Sequence, residues 1–274
     1  MESKALIEYF EHVRYQVACY YRDKRTPLPL FSGSGFMLDV DGHVIFVTAG
    51  HVATTHKGKN FYDDKLMTIQ TNTIYQDEDT KKFGCILVTV SGIVSVSAFR
   101  VDVVTGDLVP LGVVDVSFAE LTDERRDAPF VTQKITLDGA TVEYGEQKRH
   151  ISFDDIVEVN DKDIYSVFGR VHLVESSVDG QLLLNSDTIF HTNLKYDGMV
   201  GDMLVLKYDK PVIVRDWKGL SGSPVFNQDG KLIGVACAVD PIVNTLHVMP
   251  MRKILPMINA ELMTSSKNVT PPVV

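Results

Sequence analysis

The sequence predicts an all-β fold with one helix near each end of the chain. Between residues 31 and 255, apolar runs alternate with clusters of glycine, asparagine, aspartate and proline, which is the pattern of antiparallel strands joined by turns. Helical spacing of apolar residues is confined to residues 3 to about 22 and to residues 251–263. The sequence shows no internal repeat and no low-complexity tract.

The first helix is predicted over residues 3 to about 22. Leu6, Tyr9, Phe10, Val13 and Val17 recur at nearly helical spacing, so we expect this helix to pack on the outside of the β structure that follows. A helix that binds a partner protein is the alternative interpretation of the same pattern.

Strands are expected from residue 31 onward. Phe31–Leu38 runs to a turn around Asp41-Gly42 and returns as His43–Thr48, and further strands are expected at 85–90, at 93–100 and around Asp115. The predicted strands of the second half are Lys134–Leu137, Ile164–Val171, Gln181–Leu184, Met203–Tyr208, Val212–Val214, Ser223–Phe226, Leu232–Val239 and Thr245–Met249. A closing helix is expected over 251–263 despite Pro256.

A charged stretch that ends in proline, Thr122–Pro129, is the best candidate for a linker between two β units. The predicted organisation is a helical extension at 1–27, a first β unit at 28–122, the linker at 123–130, a second β unit with its helix at 131–263, and a loose tail at 264–274.

Charge and cysteine content exclude several classes of function. The net charge of −9 argues against a nucleic-acid-binding surface, which needs clustered positive charge. The three cysteines are odd in number and widely spaced, unlike a secreted disulfide framework. Charges interrupt the N-terminal segment, so it does not resemble a signal peptide, and no apolar run is long enough to span a membrane. We therefore expect a soluble, cytoplasmic protein.

Three short stretches carry residues typical of nucleophilic catalysis. Ser221 lies between Gly219 and Gly222, and glycines let successive N–H groups point at one spot, as an oxyanion hole requires. His51 follows an apolar strand and a turn of small residues. Asp115 lies inside an alternating apolar run, where a carboxylate is costly to bury without a partner, and a histidine would be that partner.

The three stretches together resemble trypsin/chymotrypsin-like serine proteases. Thr48-Ala49-Gly50-His51 is similar to their Thr-Ala-Ala-His motif, the segment beginning at Asp115 to their aspartate strand, and Gly219–Pro224 to their Gly-Asp-Ser-Gly-Gly-Pro motif. The order His, Asp, Ser is that of the chymotrypsin fold. The resemblance implies two six-stranded antiparallel β-barrels that share a His51–Asp115–Ser221 triad, with the backbone N–H groups of Gly219 and Ser221 forming the oxyanion hole.

Two departures from the trypsin motif indicate which branches of these serine proteases the chain resembles most. Leu220 replaces the aspartate that pairs with a newly cut N-terminus in zymogen-activated members, as in HtrA-like proteases and glutamyl endopeptidases. Ser223 replaces the second glycine, and Ser221–Asn227 is close to the glutamyl endopeptidases. Their specificity histidine corresponds to Ala236 here, which argues against a glutamate preference by that route.

The resemblance places the substrate pocket at Ala236, Cys237 and Ala238 and at the segment before the serine. Arg215 lies near the position of a specificity determinant, where it would favour an acidic side chain; a surface arginine is the alternative. Cys237 is expected to be a buried small side chain. The remaining histidines lack zinc-ligand spacing, and the acidic run at 76–82 lacks that of a calcium loop, so no metal or cofactor is expected.

The predicted function is a serine endopeptidase that acts on a protein or peptide substrate through an acyl-enzyme. The alternatives are a catalytically silent chymotrypsin-fold protein that serves as a binding scaffold, and a protease held off until a regulatory protein partner binds. An esterase of the α/β-hydrolase type is excluded, because position 223 is serine and the Gly-x-Ser-x-Gly elbow is missing.

Overall fold

The computed structural model describes residues 3–21, 31–53, 65–76, 83–90, 94–101, 108–121, 131, 134–178 and 181–267. The helices are α1 (Ser3–Val13), the single turn α2 (Gly50–Ala53) and α3 (Met251–Lys267). The first eight strands are β1 (Arg14–Tyr21), β2 (Phe31–Val40), β3 (His43–Thr48), β4 (Lys65–Gln76), β5 (Phe83–Val90), β6 (Val94–Val101), β7 (Leu108–Glu120) and β8 (Ile135–Leu137). The others are β9 (Ala140–Val142), β10 (Ile151–Ser152), β11 (Ile164–Val178), β12 (Gln181–Val200), β13 (Met203–Lys207), β14 (Pro224–Asn227), β15 (Leu232–Asp240) and β16 (Thr245–Pro250).

The first half of the chain forms one sheet, here called the N-terminal sheet. Its strands follow the order β5-β4-β1-β2-β3-β7-β6, and β10 pairs in parallel with β2. The hairpin between β2 and β3 turns at Asp41 and Gly42, both with positive φ, as a two-residue hairpin turn requires. The described strands of this half form an open path, so a closed first barrel stays a prediction.

The predicted N-terminal helix is wrong beyond Val13. From Arg14 the chain continues as β1, which lies inside the N-terminal sheet between β2 and β4. Tyr15 and Val17 are buried, and their spacing of two residues places both on one face of a strand. The four-residue spacing of Val13 and Val17, which suggests a helix, fits a strand equally well. Pairing on both edges decides for the strand, because tertiary context overrides a local pattern.

The second half closes into a six-stranded barrel, here called the C-terminal barrel, in the order β11-β12-β13-β16-β15-β14. This part of the fold prediction is confirmed, although β12 extends to Val200, well beyond the predicted Leu184. The strand predicted at Val212–Val214 is wrong, since Val214–Trp217 forms a 3₁₀ turn. The closing helix is confirmed as α3, which buries Met251, Ile254 and Ile258 on one face.

Helix α1 packs where the two halves meet and not only against the first of them. The ring of Phe10 stacks on Phe226 of β14 at a centroid distance of 4.8 Å. It also contacts Phe168 and Phe190 of the C-terminal barrel, at 6.0 and 5.7 Å. Because β14 directly follows the serine turn, this aromatic group ties the N-terminal helix to the strand that leaves Ser221.

Four charged side chains, here called the ion cluster, are buried beneath α1: Glu11, Arg14, Lys148 and Arg170, each at most 8% exposed. Arg170 donates to the Glu11 carboxylate at 3.4 Å, and Arg14 lies 3.7 Å from it. The Lys148 ammonium donates to the carbonyls of Glu11 and Arg14, both at 2.6 Å, and so caps the end of α1.

Three cations therefore share one carboxylate in the ion cluster. Burial lowers the pKa of Lys148 to about 7 and the pKa of Arg14 to about 10, because it penalises the charged forms. Burial acts to raise the pKa of Glu11, but the three neighbouring cations outweigh it and lower that pKa. Glu11 is thus the counter-charge on which the cluster depends.

Several predicted segments lie outside the described residues. They are the linker at 123–130, the segment 22–30 that includes the end of the helical extension, the loop after His51, the acidic run from 77 to 82, and the tail from 268. Helix α3 includes residues 264–267, which the sequence places in the tail.

Candidate active site

Strand pairing brings His51 and Asp115 together. β3 and β7 are antiparallel, with Thr48 opposite Ser117, so the chain that continues past Thr48 runs alongside Asp115. Val52 N–H bonds back to the carbonyl of Ala49 at 3.1 Å and closes the single turn α2 that carries His51. The imidazole therefore stands at the end of a buried strand while 41% of its side chain remains exposed.

Asp115 holds His51 at two points. The His51 backbone N–H donates to Oδ1 at 2.8 Å, and the ring Nδ1 lies 2.8 Å from Oδ2 and 3.1 Å from Oδ1. An ionised carboxylate only accepts hydrogen bonds, so Nδ1 carries the proton and Nε2 of the neutral ring is left with its lone pair. His51 is thereby oriented as a proton acceptor at Nε2.

The Asp115 carboxyl stays ionised in this arrangement. Burial acts to raise its pKa, but the hydrogen bond from the His51 ring and the charge of that ring, with the His51 backbone N–H, lower it below the ordinary value. The side chain is 20% exposed, which is consistent with a carboxylate whose partner compensates its partial burial.

The turn that carries Ser221 requires its two glycines. Gly219 has φ of +114° and Gly222 has φ of +88°, in the region that favours glycine. A Cβ on Gly219 would lie 2.5 Å from the Arg170 carbonyl oxygen, and one on Gly222 would overlap the Ser34 carbonyl. The turn therefore packs tightly against both β11 and β2, and larger residues would displace Ser221.

Two backbone donors beside Ser221 are unused. The N–H groups of Leu220, Gly222 and Ser223 donate to the carbonyls of Trp217, Ala236 and Leu220, at 3.1, 2.8 and 2.8 Å. Among the described residues, no acceptor takes the N–H of Gly219 or of Ser221. These are the two N–H groups that the resemblance described above assigns to an oxyanion hole.

Cys237 joins Asp115 to Ser221. Its thiol donates to the Asp115 carbonyl at 3.3 Å, and its own carbonyl accepts the Ser221 hydroxyl at 3.3 Å. Burial, and then the charge of Asp115, raise the pKa of the thiol well above its ordinary value, so Cys237 acts as a donor and not as a nucleophile. The sequence predicts only a small buried residue here and misses this bridge. His51, Asp115, Ser221 and Cys237 are here called the serine cluster.

A small pocket, with a cavity volume of about 40 Å³, opens beside Ser221. Apart from Ser221, the side chains that line it are apolar or weakly polar: Trp217, Leu220, Ala236, Cys237, Ala238, Val239 and Leu246. The three predicted residues of β15 are among them. Trp217 is held in the wall by His191, whose ring stacks on the indole at 3.8 Å.

Arg215 does not line this pocket. Its side chain is 78% exposed and lies 3.4 Å from the Asp216 carboxylate. The physical reason is the 3₁₀ turn: with about three residues per turn, Arg215 and Trp217 point in different directions, and it is Trp217 that is buried. Of the two interpretations that the sequence allows, the structure places Arg215 on the surface.

Within the described parts of the chain, no group of three His, Cys, Asp or Glu side chains is arranged to hold a metal ion. Among those same residues, no helix has the length and apolar character needed to cross a membrane.

No protein-family model matches the chain, and no curated protein matches it in sequence. Solved structures of similar fold include a serine endoprotease from Yersinia pestis, at 10% identity and a TM-score of 0.47. The alignment covers 93% of this chain and 64% of the Yersinia chain, so this chain spans less than two thirds of that protein.

Two further structures are similar in fold. Deg5 has 13% identity and a TM-score of 0.46, with 92% of this chain and 90% of that chain covered. The MamO protease domain from Magnetospirillum magneticum, in its apo form, has 14% identity and a TM-score of 0.39, with 92% and 97% covered.

Proposed function

We propose that this protein is a serine endopeptidase that cleaves protein or peptide substrates through an acyl-enzyme. The observation that carries the proposal is the pairing of His51 Nδ1 with Asp115 at 2.8 Å, next to a serine turn with two unused N–H donors. An oriented base, an adjacent hydroxyl and donors for a developing oxyanion are what acyl transfer needs.

In the proposed reaction, Ser221 Oγ bonds to the substrate carbonyl carbon while its proton passes to His51 Nε2. The N–H groups of Gly219 and Ser221 stabilise the negative oxygen of the tetrahedral intermediate. His51 then returns the proton to the leaving nitrogen as the C–N bond breaks. Water attacks the acyl-enzyme by the same route, and Asp115 stabilises the imidazolium at each stage.

The resting orientation of Ser221 bears on one alternative, a protease that a partner switches on. In the described part of the chain, the Ser221 hydroxyl donates to the Cys237 carbonyl and makes no hydrogen bond to His51. A hydrogen bond between a nucleophile and its base often forms only with substrate bound, so the resting orientation of Ser221 does not call for a partner. Substrate alone is therefore expected to suffice.

The pocket supports a preference for an uncharged, apolar side chain before the scissile bond. None of the described residues that line it is charged, and burying an unpaired charge there would be costly. The exposed Arg215 is not placed to neutralise an acidic side chain in the pocket.

Digestion of a peptide library, with the products read by mass spectrometry, tests the proposal. We expect internal cleavage after apolar residues by the wild type, and no cleavage by Ser221→Ala purified in the same way. Cleavage chiefly after acidic or basic residues would overturn the pocket assignment. A folded wild type that cleaves nothing would overturn the endopeptidase proposal and favour the scaffold or the partner-gated alternative.

A further inference from the structure

Ser34 of β2 uses every polar group it has at the junction of the two halves. Its N–H donates to the carbonyl of Ser221 at 2.7 Å, and its hydroxyl donates to the carbonyl of Gly219 at 2.9 Å. Its own carbonyl accepts the hydroxyl of Thr48 at 2.7 Å, three residues before His51. Ser34 is completely buried, so water does not compete for these bonds.

The two bonds from Ser34 hold the peptide planes on either side of the Leu220–Ser221 plane, which carries the Ser221 N–H. The bond to the Gly219 carbonyl fixes the 219–220 plane, and the bond to the Ser221 carbonyl fixes the 221–222 plane. The plane between them is held by the Leu220 carbonyl, which accepts from Ser223. With these carbonyls engaged, the N–H groups of Gly219 and Ser221 remain unpaired in the described structure.

The sequence around Ser34 is built for this close approach. A Cβ on Gly33 would lie 2.7 Å from the Val52 side chain and 3.0 Å from the Ser221 carbonyl oxygen, and one on Gly35 would overlap the ring of Phe46. Glycines on both sides therefore let this segment of β2 lie against the serine turn. The Gly33-Ser34-Gly35 motif is visible in the sequence, but the contact of Ser34 with Gly219, 185 positions later, is not.

We propose that Ser34 is a positioning residue of the peptidase, whose hydroxyl and N–H hold the Gly219–Ser221 backbone so that the two oxyanion N–H groups are formed before substrate binds. The inference rests on the proposed function and extends it to a residue outside the triad. Donors that are already in place cost no reorganisation during the reaction, which is why their rigidity affects rate.

Ser34 also connects the serine turn to the ion cluster. Arg14 Nη1 lies 3.5 Å from the Ser34 hydroxyl and orients it weakly, while the guanidinium lies 5.8 Å from the centre of the Phe168 ring. The ion cluster thus contacts the Ser34 hydroxyl through Arg14, which directly follows helix α1. The same hydroxyl bonds to Gly219, so Ser34 links the ion cluster to the serine turn.

The test is Ser34→Ala, which removes the hydroxyl and keeps the backbone N–H bond to Ser221. Ser166→Ala is the matched control: Ser166 is 1% exposed, and its hydroxyl donates to Thr192 Oγ1 at 3.0 Å inside the C-terminal barrel. Ser166→Ala loses one part-buried hydroxyl bond, and Ser34→Ala loses one buried bond together with the long contact from Arg14, so the two losses of stability should be of the same order. Only Ser34→Ala should affect the serine turn.

Two readouts are measured on the full chain. Amide hydrogen exchange of Leu220, Gly222 and Ser223 should be about five- to tenfold faster in Ser34→Ala, the factor expected for one lost hydrogen bond. The kcat should fall by a similar factor with KM unchanged, and affinity for a peptide aldehyde, whose adduct places an oxyanion at the two N–H groups, should fall with kcat.

Each outcome decides the inference. Unchanged exchange in Ser34→Ala, or faster exchange with an unchanged kcat, would overturn it, as would an equal loss of kcat in Ser166→Ala. A wild type without Ser221-dependent hydrolysis would instead overturn the proposed function. In that case the hydrogen-exchange data alone would show whether Ser34 holds the serine turn in place.

Discussion

The serine cluster and the ion cluster are both polar groups built where the N-terminal sheet meets the C-terminal barrel, but they differ in exposure. His51 and Asp115 remain 41% and 20% exposed, whereas no member of the ion cluster exceeds 8%. Open polar groups can exchange protons and meet a substrate, while buried charges must satisfy one another. We infer that the serine cluster performs the reaction and that the ion cluster stabilises the fold. Ser34 contacts both clusters.

This contrast predicts that substitutions in the serine cluster change rate without changing stability. Asp115→Asn should lower kcat by about 10⁴, because an amide can donate to Nδ1 and favour the wrong tautomer of His51. The thermal midpoint should stay close to that of the wild type, since Asn keeps the shape of the side chain. The measurement is steady-state hydrolysis of a peptide substrate together with a thermal unfolding scan.

A kcat within tenfold of the wild type would show that Asp115 does not orient His51. It would contradict the inference that the serine cluster performs the reaction.

Substitution in the ion cluster should do the opposite. Glu11→Gln keeps the shape of the side chain but removes the carboxylate that Arg14 and Arg170 approach in the cluster. Breaking a buried ion pair on one side typically costs about 3–5 kcal/mol of unfolding free energy. Chemical denaturation of the variant and the wild type measures the loss.

Glu143→Gln is the matched control for Glu11→Gln. Glu143 pairs with Lys134 at 2.7 Å, but both side chains are more than half exposed, so the substitution should cost less than about 1 kcal/mol. Equal losses in the two variants would mean that burial does not distinguish the ion cluster from an ordinary surface pair.

The difference between the clusters also explains how much the sequence could predict. Ser221 and His51 stand in short local motifs with glycines or small residues around them, and Asp115 interrupts an apolar strand, so each is recognisable from its neighbours. The members of the ion cluster come from three separate segments, and nothing near Glu11 in sequence indicates Arg170, 159 residues away.

The predictions that failed or that the sequence left open have the same origin. The segment after Val13 has spacing that suits a helix or a strand, and pairing with β2 and β4 decides for β1. Arg215 has the right distance in sequence from Ser221, but a 3₁₀ turn directs it to solvent and leaves Trp217 in the pocket wall. In both cases tertiary geometry decides what local spacing leaves open.

The central claim is that Ser221 is an activated nucleophile, and the most direct test is intact-mass analysis after incubation with a fluorophosphonate. These reagents form a covalent adduct with a serine that has both a working base and oxyanion donors. We expect one adduct on the wild type, none on Ser221→Ala and a strongly slowed reaction on His51→Ala. A folded wild type that stays unmodified, or an equal adduct on Ser221→Ala, would contradict the account.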